Sequence, residues 1–129
     1  MRTVGTTRKV LHVATMVAVV TLVVFAAGLR RRLAAQAPSG SALPDVAAGG
    51  LLLTSVAGLM GAGLNTEFIF GLQDPAASGV LPEAAVFYNH WIGTIPWLWT
   101  LVGLSGLAIH VVARLGGAPR WLGRVGLVL

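Results

Sequence analysis

The chain has 129 residues, of which 56% are hydrophobic and only 10% charged. Soluble domains carry charge on about a quarter of their residues, so this composition, with a mean hydropathy of +0.83, reads as a membrane protein and excludes most soluble enzyme classes. The abundance of Val, Leu and Ala also excludes intrinsic disorder, and the absence of cysteine removes disulfides, thiolate metal sites, iron–sulfur clusters and cysteine nucleophiles together.

Nine Lys and Arg against four Asp and Glu give a net charge of +5. The basic residues stand in short clusters beside apolar runs, where they report topology. No basic stripe is interleaved with aromatics, so no nucleic-acid partner is expected.

A hydrocarbon core about 30 Å thick requires about 20 mainly apolar helical residues. The first stretch that qualifies is residues 10–29, uncharged throughout and stopped by Arg30, Arg31 and Arg32. A cleaved signal peptide is the rival reading, because Arg2, Arg8 and Lys9 precede the run and Ala35-Gln36-Ala37 has the small-x-small pattern. The three arginines directly after the run, and Pro38 just past the would-be cut, favour a retained anchor. Residues 33–46 are rich in Pro, Ala, Ser and Gly and predict a solvated loop.

The second predicted span is 47–70, with Asn65, Thr66 and Glu67 in its last turns. An acidic loop over 71–90 follows, carrying Asp74 and Glu83, and then a third span over 91–113 that closes at Arg114. Pro96 lies inside this span and predicts a kink. Tyr88, Trp91, Trp97 and Trp99 predict an aromatic belt at the headgroups. The tail, 119–129, is too short to cross. Its apolar residues Trp121, Leu122, Val125, Val128 and Leu129 fall at helical spacing, with Arg120 and Arg124 four apart, so it is expected to lie in the interface behind Pro119. The expected fold is an all-α bundle of three transmembrane helices in one domain, residues 1–129.

Counting Lys and Arg near the span ends sets the orientation. Arg2, Arg8 and Lys9 lie on one side; Arg30, Arg31, Arg32, Arg114, Arg120 and Arg124 lie on the other, which is expected to be cytoplasmic. The chain is then an integral protein of a bacterial-type plasma membrane with its N-terminus outside.

In lipid, close contact between small residues replaces hydrophobic drive in holding helices together. Gly50, Thr54, Gly58 and Ala62 recur every four residues of the second span and predict such a contact. Ionisable residues inside spans are costly and mark function by default, which singles out His12, Glu67 and His110. Counted from span midpoints, His12 and Glu67 lie at matching depth, roughly 11 Å off centre, and are candidates for a proton or ion relay. His90 lies on the same side at about 18 Å, and His110 lies on the other, roughly 23 Å from His12, so those two cannot share a metal. His110 follows Gly106 and Gly103 on one helical face. A small-residue groove beside a histidine suits a haem b edge with the imidazole as axial ligand, the second ligand coming from another chain. His90 is the other candidate for a haem or quinone site.

No phosphate-binding loop, nucleophile elbow or zinc-protease motif occurs. The leading functional expectation is a non-catalytic accessory subunit of a larger membrane complex, partnered by lipid and by other subunits or copies of itself. A haem- or quinone-binding redox subunit and a proton- or ion-conducting oligomer are the alternatives.

Overall fold

The computed structural model describes residues 2–70, 79, 81–94, 97 and 100–128. Regular structure among them is entirely α-helical: α1 (Arg2–Ala34), α2 (Leu43–Phe70), α3 (Pro82–Thr94), α4 (Thr100–Arg114) and α5 (Arg120–Val128). Among the described residues two helices are long and apolar enough to cross a membrane, over Lys9–Ala34 and Leu43–Thr66.

α1 runs well past the 10–29 stretch at both ends. Arginine is a good helix former, and Arg31 and Arg32 in the last turn oppose the negative end of the helix dipole, so the charges that end the apolar run do not end the helix. The loop expected over 33–46 shrinks accordingly. Leu33 still belongs to α1 and is buried, and α2 begins at Leu43, where the Ser41 hydroxyl accepts from the Leu43 N–H at 3.3 Å and Asp45 sits in the first turn. Five hydroxyls along α1 and α2 bond back into their own helices: Thr15 and Thr21 donate to Leu11 and Val17, and Thr54, Ser55 and Thr66 to Gly50, Leu51 and Ala62.

α1 and α2 form an antiparallel hairpin. Arg30 pairs with Asp45 near its closed end, and Val19 meets Gly58 at mid-length. On its other side α2 is flanked first by α4 and then by α3. Ser105 reaches Ala47, the Leu101 carbonyl crowds Gly50, and further along Met60 and Leu64 face Phe87, Tyr88 and Trp91 across a groove of about 390 Å³. One antiparallel register therefore serves both helices.

The stretch 91–113, expected as one span, divides between α3 and α4, and the helical path beside α2 begins at Pro82 instead. Glu83, Asn89 and His90 had interrupted the apolar pattern there. Trp91 is consequently level with Met60, near the middle of α2, rather than at an outer belt. The kink expected at Pro96 and the position of Trp99 lie outside the described residues.

α4 closes with a Schellman turn. Gly116 takes φ +83°, the Gly117 N–H donates to Val112 at 3.0 Å and the Gly116 N–H to Ala113 at 3.2 Å. Both glycines are needed, because a Cβ on Gly117 would also press on the carbonyl of Gln36 in the turn after α1. The chain then turns back. Gly123 packs on Ala113 and Gly126 on Gly106, so α5 lies along α4, its glycine face inward and Trp121 outward. The amphipathic helix expected in the tail is present, but glycine rather than its apolar residues makes the contact.

The core is small-residue and sits at the arginine-rich end. Leu33, Ala47, Ala108 and Val112 form it, with Leu29, Leu43, Ile109 and Ala118 packed around them.

Candidate functional site

The row Gly50, Thr54, Gly58 and Ala62 does not serve a single partner. Successive members four apart on a 3.6-residue helix turn about 40° each time, so Gly50 and Gly58 face different neighbours. Gly50 lies under α4, where a Cβ would run into the Leu101 carbonyl and the Ser105 hydroxyl. Gly58 lies under α1, with Val19 Cγ2 3.0 Å from the position a Cβ would take. Thr54 and Ala62 are buried along the same row. α2 is thus the central helix, held on two sides by backbone-close contacts.

Ser105 went unnoticed in the sequence. Its hydroxyl donates to the Ala47 carbonyl at 2.6 Å with the side chain buried, a direct hydrogen bond between α4 and α2. A hydroxyl beside Gly106 within an apolar run was the available signal. Gly123 and Gly126 were passed over likewise, although their three-residue spacing gives a helix one bare face.

His110 is half-buried, with Nδ1 2.9 Å from the Gly123 carbonyl. A carbonyl only accepts, so Nδ1 carries a proton and donates it to Gly123. The groove expected beside it is occupied at Gly106 by the Gly126 backbone, while Gly103 has open space. His110 therefore ties α5 to α4.

His12 is half-buried on α1, and its Nδ1 is buried without a hydrogen-bond partner among the described residues. The register that sets Val19 against Gly58, followed back along α1 and forward along α2, brings His12 level with Asn65. Glu67 follows half a turn later on α2, and its side chain lies outside the described residues. His12 and His110 stand near opposite ends of α2, on the order of 30 Å apart along the axis, farther than the sequence suggested.

His90 and its neighbour Asn89 are exposed on α3 and have no hydrogen-bond partner among the described residues. The α2–α3 register puts His90 level with Gly61 and Ala62, within about 6 Å of the level of Gly58. The sequence had placed it about three times farther out. None of the three histidines meets another, and among the described residues no group of three metal-ligating side chains converges.

The chain matches no protein-family model, and no significant match to it is found among curated proteins or solved structures.

Proposed function

We propose that the chain is an integral membrane protein of three crossings that acts as a non-catalytic accessory subunit of a larger membrane assembly. α1 and α2 exceed the length a bilayer requires, and α3 and α4 in series beside α2 make the third crossing. Val10, Val13, Val17, Val20 and Val24 leave one flank of α1 apolar and uncovered, as lipid contact demands. The arginines at the closed end of the hairpin face the cytoplasm and the N-terminus faces outward.

The observation that carries the subunit reading is the exposure of Asn89 and His90 on α3 beside the Gly61 and Ala62 level of α2, which a three-crossing arrangement sets within the hydrocarbon. A polar pair turned toward hydrocarbon at that level is costly, and such groups face protein or water in membrane bundles. A helix from another chain, or from a second copy, supplies the partner. Mass spectrometry of what co-purifies from native membranes tests this: a defined set of membrane chains is expected with the wild type and should be lost with Asn89→Leu/His90→Leu. A lone monomer in mild detergent, unchanged by that substitution, contradicts it.

The same observation favours one alternative, a redox subunit in which His90 and a ligand from the second chain hold a haem b. An absorption spectrum of the co-purified complex separates the two. A Soret band lost in His90→Leu supports the redox reading, and a featureless spectrum before and after dithionite removes it.

A further inference from the structure

Along a flank of α1 beside the core-packed Leu29, an open groove of about 610 Å³ is lined by Phe25, Gly28, Leu29, Arg31, Arg32 and Ala35. We propose that this groove is a binding site for one anionic phospholipid of the cytoplasmic leaflet. It rests on the reading of α1 as a membrane-spanning helix.

Phe25, Gly28, Leu29 and Arg32 recur at i, i+3, i+4 and i+7 and share one face of the helix, and Arg31 and Ala35 border it on one side. Gly28 makes the indentation: no atom lies within 4 Å of the position its Cβ would take. Phe25, exposed, forms the wall on the apolar side. Arg30 is engaged with Asp45 at 2.6 Å, whereas Arg31 and Arg32 have no acidic partner among the described residues.

Depth matches the two halves of a lipid. From the midpoint of the 10–29 stretch, Phe25 lies about 8 Å and Gly28 about 13 Å toward the cytoplasmic side, within the acyl region, while Arg31 and Arg32 lie about 18 Å out, at the phosphate level. An acyl chain runs past Phe25 and Gly28, and the two guanidiniums close on the phosphate with charge-assisted hydrogen bonds. Such a basic pocket selects an anionic over a zwitterionic headgroup.

The test is native mass spectrometry of the detergent-solubilised protein titrated with phosphatidylglycerol, with phosphatidylcholine and with glycerol phosphate alone. The wild type should retain phosphatidylglycerol at roughly thirtyfold lower concentration than phosphatidylcholine, the order expected for two arginines at a phosphate, and should not retain glycerol phosphate. Arg31→Gln/Arg32→Gln should abolish the preference. Gly28→Leu, which fills the groove without changing charge, should weaken phosphatidylglycerol retention at least several-fold, and Arg120→Gln/Arg124→Gln should leave it unchanged. Equal retention of the two lipids by the wild type, an unaffected Gly28→Leu variant, or retention of glycerol phosphate as tight as that of the lipid overturns the site. Carbonate extraction of the same proteins separates the failures. Wild type that stays in the membrane pellet without lipid preference contradicts the groove alone, and wild type released by carbonate contradicts the membrane reading beneath it.

Discussion

The Ser105 hydroxyl on α4 donates to the carbonyl of Ala47 on α2 at 2.6 Å, and directly beside it Gly50 leaves no room for a Cβ. Hydrogen bond and close approach are one contact, because the helices come near enough to share the proton only where α2 lacks a side chain. Ser105→Ala should lower stability by about 0.6–2 kcal/mol, the range for hydrogen bonds between membrane helices. Gly50→Ala should cost more, about 1–3 kcal/mol, since the obstacle is the Leu101 backbone and the helices must part. Unfolding by dodecyl sulfate titration from mild detergent measures both. A Gly50→Ala cost below that of Ser105→Ala would contradict the ordering.

Gly106 and Gly126 meet backbone to backbone where α5 lies on α4. Alanine at either position should displace α5, with a loss of about 1–3 kcal/mol. Gly103→Ala on the same helix meets open space and should be neutral or stabilising by up to about 1 kcal/mol through helix propensity. Hydrogen exchange across α5 should rise in the first two variants and stay at the wild-type level in the third.

Arg30 and Asp45 are 59% and 62% exposed, so their ion pair is largely screened by solvent. Asp45→Asn should cost under about 1 kcal/mol, with the lost dipole complement at the start of α2 included. The charge-reversed pair, Arg30→Asp with Asp45→Arg, should not recover the wild-type value, since it puts an acid at the end of α1 and a base at the start of α2, against both dipoles.

His12 keeps its Nδ1 buried without a partner among the described residues. If the residue only packs α1 against α2, His12→Leu should be neutral or stabilising by about 1 kcal/mol, because a buried polar atom lacking a hydrogen bond is replaced by an apolar one. Proton flux into liposomes holding wild type, His12→Leu and Glu67→Gln addresses the conducting alternative. The accessory-subunit reading expects the same low flux in all three, and a wild-type flux abolished by both substitutions would establish the relay instead.

The hairpin of α1 and α2 was legible because two long uncharged runs separated by a proline-containing turn admit little else. Helix ends were not, since arginine stops a hydropathy pattern without stopping a helix, as Arg30, Arg31 and Arg32 show. The start of the third path was missed for the converse reason: Glu83, Asn89 and His90 interrupt the apolar run while Pro82–Thr94 is helical throughout. The small-residue row on α2 was recognisable, yet which helix each glycine admits depends on the 40° drift of a four-residue repeat and on partners elsewhere in the chain. His110 was visible as a polar group within a span. Its carbonyl partner was not, because Gly123 contributes only backbone and reaches it through the turn at Gly116 and Gly117.

Cysteine accessibility in intact membranes tests the threading of the chain through lipid most directly, and the absence of native cysteine leaves no background. Single cysteines replace Val20 at mid-length of α1, Ser39 in the hairpin turn and Leu115 after α4, and are exposed to a membrane-impermeant maleimide. Ser39→Cys and Leu115→Cys should label only once the cytoplasmic face is opened, and Val20→Cys only after denaturation in detergent. Labelling of Val20→Cys in sealed vesicles at the rate of Ser39→Cys would contradict a lipid-embedded α1.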